Sequence, residues 1–134
     1  MDPSTLPVSV VVIEAHPLMR EALLAALAAE PEWQVTAPPD RPEVLVRAMC
    51  IVPPNLILLS LGNPGAADLR LLTMLRQALP AVPILALITN EVPNQSEAAL
   101  IAGASHVSAK SVLREELMDT VHAVLNTTTP TEST

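Results

Sequence analysis

Three short apolar runs constrain the fold of this chain more than any other feature. Val8–Ile13, residues 56–59 and Ile84–Ile88 are rich in Val, Ile and Leu, and lack the regular alternation of a strand with one wet face. Such runs are typical of central strands in a parallel sheet, because that kind of sheet is covered on both faces. The chain is therefore expected to bury a sheet between two layers.

Helical patterns lie between these runs. Pro17 stands at a first-turn position, Asp40 is expected to be an N-cap, and Gly103 closes a short helix. The predicted helices are residues 17–29, 40–51, 68–78, 95–102 and 112–125, and two weaker strands are predicted at 33–37 and 106–108. Because strand and helix alternate five times, we predict an α/β three-layer sandwich around a five-stranded parallel sheet.

The domain is expected to span residues 8–125. Residues 1–7 are interpreted as an N-terminal extension, and residues 126–134 as a linker or disordered tail, because they lack apolar periodicity.

Composition argues against several functions. The net charge is −7, whereas affinity for nucleic acid depends on clustered Lys and Arg, so this segment is not expected to bind nucleic acid directly. No apolar run reaches the length of a membrane span, so no membrane association is expected. Cys50 is the only cysteine and is interpreted as a small buried residue, which favours a reducing, cytoplasmic location.

Ligands of such sheets gather at the carboxyl ends of the strands. Three loops stand there, and they begin at Glu14, Ser60 and Ser108. The landmarks in and beside them are the run at residues 14–17, Ser60, the run at residues 102–105 and Lys110. In this order they resemble receiver domains of NarL/LuxR-type response regulators. Residues 14–17 read Glu-Ala-His-Pro where the family has Asp-Asp-His-Pro, and Ser60 closes a strand where the family has its phosphoacceptor aspartate. Residues 102–105 read Ala-Gly-Ala-Ser as in the family, and Lys110 stands at its invariant lysine. The resemblance implies the flavodoxin-like strand order 2-1-3-4-5 with five helices.

The departures from the family concern the phosphorylation pocket. Two acids after the first strand and the phosphoacceptor aspartate hold Mg²⁺ in the family, but this chain has Glu14, Ala15 and Ser60 at those positions. One carboxylate offers too little for magnesium, which requires near-octahedral oxygen ligation. The comparison implies a degenerate pseudo-receiver with no catalytic residue, no phosphorylation of Ser60, no cofactor and no metal or Mg²⁺ site.

Other positions lead to further expectations. The retained Lys110 is expected to form an ion pair with Glu14, and His16 is expected to cap the first helix. The family's switch threonine and switch aromatic fall on Ile88 and Val107, so their usual coupling is absent. We therefore expect one constitutive conformation.

The sequence favours an atypical, phosphorylation-independent receiver of signal transduction that is not an enzyme. It would act through a protein partner or as a homodimer, and regulate a C-terminal DNA-binding domain of a transcription regulator. Apolar residues beside the expected core rows of the first and last helices point to self-association, namely Leu23, Leu27, Met118 and Leu125.

Two alternatives remain open. A stand-alone pseudo-receiver could serve as an interaction module without any DNA-binding domain. A flavodoxin-like small-molecule-binding domain, such as a cobalamin domain, is indicated by Glu14 and His16, although Met19 stands where a glycine would be expected.

Overall fold

The computed structural model describes residues 8–38, 42–62, 66–89, 94–111 and 114–127. Within these ranges the strands are β1 (Val8–Ile13), β2 (Trp33–Thr36), β3 (Leu56–Ser60), β4 (Ile84–Ile88) and β5 (His106–Ala109). The helices are α1 (Pro17–Leu27), α2 (Pro42–Ile51), α3 (Ala66–Ala78), α4 (Gln95–Ala102) and α5 (Arg114–Thr127).

The strands form one parallel sheet in the order β2-β1-β3-β4-β5. β1 lies between β2 and β3, with Val10 in register with both Val35 and Leu56. The predicted flavodoxin-like order, with five helices between and after the strands, is confirmed.

Two apolar clusters cover the two faces of the sheet and explain the uniformly apolar central strands. Val10 and Val12 face one cluster, which includes residues of α1 and α5. Val11 faces the other, which includes residues of α2, α3 and α4. Every residue of β3 and β4 is buried, whereas the edge strands β2 and β5 are only partly covered. The three-layer prediction is thus confirmed, and the weak sequence signal of β2 and β5 follows from their edge positions.

Several boundaries differ from the sequence-based expectation. α1 ends at Leu27 and is followed by a turn, and α5 continues to Thr127, into the segment expected to be a tail. The expected N-cap Asp40 and the expected extension at residues 1–7 lie outside the described residues, as do residues 128–134.

The interpretation of Cys50 as a buried residue is wrong. Its neighbours Leu45 and Met49 occupy the inward face of α2, so position 50 falls on the outer face and the thiol is exposed. Trp33, by contrast, packs against the apolar cluster that includes residues of α1 and α5. The centroid of its ring lies 5.0 Å from that of the His122 ring.

The apolar residues singled out on the first and last helices do not form surplus surface. Leu23 and Leu27 are buried, and Met118 and Leu125 are partly buried against the same cluster. Because both helices cover the same face of the sheet, each packs a broader row of apolar side chains than a single stripe.

Among the helices of the described ranges, none combines the length and the apolar character that a membrane span requires.

Candidate functional site

A cavity of about 370 Å³ opens at the carboxyl ends of the central strands. The strand ends and the first turns of the neighbouring helices supply its walls, as expected for this type of sheet. Its lining residues are Ile13, Glu14, Ala15, His16, Arg20, Pro38, Leu45, Ser60, Gly62, Asp68, Leu71 and Lys110. Glu14, Ala15, Ser60 and Lys110, predicted from the sequence to lie together, are thus brought to one site.

Glu14 follows β1 directly and is only 7% exposed. Its Oε2 accepts a hydrogen bond of 3.1 Å from the backbone N–H of His16 and lies 3.2 Å from His16 Nδ1. Arg20 reaches back from α1 and donates from Nη1 to the Glu14 carbonyl at 3.0 Å. His16 stands at the N-cap position of α1, but its side chain contacts Glu14 and makes no capping hydrogen bond. His16 is thus the N-cap residue of α1, as expected, although its side chain does not make the cap.

The pKa of the Glu14 carboxyl lies below its ordinary value of 4.5. Burial alone would raise this pKa, but the nearby Ser60 hydroxyl, the two His16 contacts and the positive charge of Lys110 together outweigh it. The carboxylate is therefore held in its ionised form although it is buried.

Two buried oxygens point to unfinished hydrogen bonding at this site. Glu14 Oε1 and Ser60 Oγ are shielded from bulk solvent, yet neither meets a hydrogen-bond partner of good geometry among the described residues. The lowered pKa of Glu14 nevertheless includes a contribution from the Ser60 hydroxyl, so the two side chains interact with each other. Leaving a buried polar atom unsatisfied costs roughly 1–3 kcal/mol, which favours donation from the Ser60 hydroxyl to this carboxylate.

Lys110 follows β5, and its backbone N–H donates to the carbonyl of Ile88 at 2.8 Å, which fixes it beside the end of β4. Its side chain lines the cavity and its charge lowers the pKa of Glu14. The predicted direct ion pair with Glu14 is nevertheless wrong, since within the described ranges Glu14 pairs with His16 instead. The neighbouring His16 reaches the carboxylate within one local turn, whereas Lys110 acts from across the cavity.

Asp68 is a cavity residue that sequence reasoning missed. It lies in the first turn of α3, and its Oδ2 accepts a hydrogen bond of 2.6 Å from the backbone N–H of Gly62, in the loop after β3. A Cβ atom on residue 62 would lie 3.2 Å from that oxygen, so glycine favours this close approach. The signal available in the sequence was an acidic residue six positions after the glycine that follows β3.

Gln95 ties together the loops that follow β3 and β4. It is 4% exposed, accepts a hydrogen bond of 2.9 Å from the backbone N–H of Thr89, and donates one of 3.0 Å to the carbonyl of Gly62. Of the two switch-equivalent positions, Ile88 is buried in the core and Val107 packs against the same cluster. No periodic signal marks Gln95 in the sequence, because a buried amide at a helix start follows no pattern.

The donor set does not fit the Mg²⁺ that this fold family implies. Glu14 is the single carboxylate at the end of β1, Ala15 offers no ligand, and Ser60 is neutral. Asp68 lines the same cavity but already accepts a hydrogen bond from the chain. Among the residues that the structure describes, no group of three or more His, Cys, Asp or Glu side chains could hold a metal ion.

The fold, with its cavity at the strand ends, belongs to the flavodoxin-like class. Residues 10–122 match the response regulator receiver domain family, and the chain belongs to that family. It is a receiver domain of the kind that serves two-component signalling.

NarL- and LuxR-type response regulators are among the proteins that this chain resembles. The chain is 28% identical over 117 residues to the transcriptional regulatory protein DegU of Brevibacillus brevis, which aligns over 87% of this chain and 50% of that protein. The chain thus spans about half the length of this curated relative. The NarL signal receiver domain of Mycobacterium tuberculosis is 26% identical, with a TM-score of 0.74 and coverage of 90% of this chain and 97% of that one. A LuxR family response regulator of Aurantimonas sp. SI85-9A1 shares the fold with a TM-score of 0.77 at 23% identity, covering 90% and 86% of the two chains.

Proposed function

We propose that this receiver domain signals without being phosphorylated. The observation that carries the proposal is Ser60, which ends β3 at the position that the family resemblance assigns to the phosphoacceptor. A serine hydroxyl needs a general base before it can act as a nucleophile. Glu14 lies nearby, but it is held as a carboxylate of low basicity, because the pKa of its carboxyl is lowered. Together with Ala15 and the unsuitable magnesium ligands, this supports a pseudo-receiver that is not an enzyme.

The strand ends support a single constitutive conformation. A receiver that switches needs two arrangements near β4 and β5 whose balance a ligand can shift. Here Ile88 is buried in the core and Val107 packs against it, while the buried Gln95 joins the loops after β3 and β4 by two hydrogen bonds. Moving either loop would leave buried polar groups unsatisfied.

Output is proposed to pass through protein contacts in the cytoplasm. The relative DegU is a transcriptional regulatory protein about twice as long as the aligned region, which supports a C-terminal DNA-binding domain under the control of this receiver. Homodimerisation remains a prediction, but it no longer has the support of Leu23 and Leu27. The exposed large apolar side chains of the described residues lie elsewhere, at Leu18, Val44, Ile51, Val52, Met74, Leu100 and Ile101.

Titration with Mg²⁺ and beryllofluoride tests phosphorylation independence. We expect no heat beyond dilution in calorimetry, and no mass increase after incubation with acetyl phosphate. Saturable binding in the micromolar range, or a phosphorylated Ser60 by mass spectrometry, would contradict the proposal.

A gain-of-function variant provides the matched control. In Ala15→Asp combined with Ser60→Asp, the site regains the acids that the family uses, while the backbone positions stay the same. Magnesium binding by this double variant, and not by either the parent or Glu21→Gln, would assign the loss to these two positions. Glu21 is a suitable reference because its side chain is exposed on α1.

A further inference from the structure

A row of apolar side chains runs along the outside of α2. Val44 and Val52 are 55% and 75% exposed, and Ala48, midway between them, is exposed as well. Because the three residues are four positions apart, they lie on one side of the helix. Val52 follows the last residue of α2, but its backbone N–H still donates to the Ala48 carbonyl at 3.1 Å, so the helical spacing continues to the end of this outer row. Ile51 lies beside the outer row and is 77% exposed.

The subunit itself leaves the outer row uncovered. Leu45 and Met49 form the inward face of α2 and are buried against the sheet. On another side of the helix, Cys50 Sγ lies 4.0 Å from the Ala78 carbonyl at the end of α3. Ala48 precedes Cys50 by two residues, which is about 200° around a helix, so the outer row lies on the flank away from α3. Since α3 packs against both α2 and α4, α2 is the end helix of its layer.

The distribution of charge favours this flank for contact between two copies. The chain carries a net charge of −7, so copies repel each other wherever their acids are exposed. The exposed acids of the described residues lie on α1, before β2, on α4 and on α5: Glu21, Glu32, Glu97, Glu115, Glu116 and Asp119. None of the side chains described on α2 and α3 is an exposed acid, whereas Arg47 and Arg70 are exposed there.

The outer row matches itself. A two-fold interface requires a surface that is complementary to its own copy. The outer row reads Val, Ala, Val in both directions, so an antiparallel copy of α2 presents the same surface. A two-fold axis at Ala48 sets Val44 of one copy against Val52 of the other, and the small alanine lets the two helices approach closely.

We propose that a second copy of this chain docks on the outer row of α2 and forms a two-fold dimer with antiparallel α2 helices. The inference deepens the proposed function, because it names the partner through which protein contacts begin. One helix row is smaller than the roughly 800 Å² per partner of a standard interface, so the dimer is expected to be weak and reversible.

Sedimentation equilibrium of the full chain from about 10 μM to about 1 mM tests the dimer. Ile51→Asp should weaken association at least about tenfold. Ile101→Asp is the matched control, because it makes the same change at an 87% exposed position on α4 and should leave association unchanged. Circular dichroism checks that both variants are folded. Ala48→Gln, which keeps a good helix former but blocks close approach, gives a second test of the same surface.

Crosslinking tests the position of the two-fold axis. Cys50 is the only cysteine, so Cys50→Ser provides a background without thiols. Adding Ala48→Cys to it should give a disulfide-linked dimer on mild oxidation, since a disulfide needs Cα atoms about 4.4–6.8 Å apart. Ala123→Cys in the same background, exposed on α5, should remain monomeric at that protein concentration.

The contrary results are equally definite. A monomer at all concentrations, equal weakening by Ile51→Asp and Ile101→Asp, or crosslinking through Ala123→Cys as fast as through Ala48→Cys would overturn the α2 dimer. A monomer throughout would leave the outer row to a different protein.

A separate titration distinguishes this inference from phosphorylation independence. Ile51→Asp receives Mg²⁺ and beryllofluoride in the calorimeter. Saturable heat would contradict phosphorylation independence whatever the oligomeric state of the parent. Silence in that titration, together with a monomeric parent, would overturn the dimer alone.

Discussion

The side chain of Arg76 occupies the space that a Cβ atom on Gly103 would need. That atom would lie 2.7 Å from Arg76 Cβ and 2.9 Å from Arg76 Cγ. In return, Arg76 Nε donates a hydrogen bond of 2.9 Å to the Gly103 carbonyl. The two residues join α3 to the turn between α4 and β5, so the Ala-Gly-Ala-Ser segment has a structural reason beyond its resemblance to the family.

Replacing Arg76 by alanine should destabilise the domain by about 2–3 kcal/mol, because several hydrogen bonds to a charged group are lost together. The guanidinium also donates to carbonyl groups in the turn before β4 and to the Ser105 hydroxyl: Leu79, Pro80 and Val82 are the carbonyl acceptors. Urea unfolding measures the change. Arg70→Ala, exposed on the same helix, is the control and should be nearly neutral. Equal effects of the two substitutions would show that the Arg76 contacts contribute little.

Gly103→Ala should cost about 1–3 kcal/mol, since its φ of +129° is a backbone conformation that side chains rarely adopt. Contact with Arg76 adds to that strain. Gly62→Ala serves as comparison, because its Cβ would meet only the Asp68 carboxylate at 3.2 Å. Thermal unfolding of both variants should rank Gly103→Ala as the less stable. The reverse order would refute the close approach of Arg76 to residue 103.

The stability contributed by Glu14 should depend on acidity. Because the folded state lowers the pKa of this carboxyl below 4.5, its contribution is fully present above that pH and is lost as pH falls through the folded pKa. The stability advantage of the parent over Glu14→Gln should therefore shrink as the pH falls below 4.5. Glu21→Gln should give a curve parallel to the parent. A pH-independent difference for Glu14→Gln would mean that the carboxyl is not stabilised in its ionised form.

Removing the amide of Gln95 should loosen two loops at once. Gln95→Ala leaves the Thr89 N–H and the Gly62 carbonyl without their partner, at a cost of about 1–3 kcal/mol. Hydrogen exchange at the Thr89 amide should accelerate more than at amides in the centre of β4. Glu97→Ala, exposed on the same helix, should leave that exchange rate unchanged. Unaltered protection of Thr89 in Gln95→Ala would contradict the bridging role.

The sheet was predictable because its signal is repeated along the chain. Val11 lies on one face of β1, and Val10 and Val12 lie on the other. Both faces of the strand are therefore apolar, and both must be covered by a layer of helices. Amphipathic helices then had to alternate with the strands. Positions at the strand ends followed from the order of the family landmarks, which is how Glu14, Ser60 and Lys110 were brought to one cavity.

Individual contacts in the site were less predictable. Two partners were available to Glu14, and the choice of His16 over Lys110 depends on a local turn that the spacing of charges does not reveal. The guanidinium of Arg76 binds backbone carbonyls, which carry no signature in the sequence. Contacts to the backbone depend on the path of the chain rather than on residue types.

Gln95 holds the loops after β3 and β4 with a group that bears no charge at any acidity. Its hydrogen bonds therefore respond to neither salt nor protons, unlike an ion pair at the same place, which screening would weaken. The relative position of the two loops becomes a property of the folded chain itself. Only an event that displaces the start of α4, such as occupation of the neighbouring cavity or contact with another protein, could then alter it.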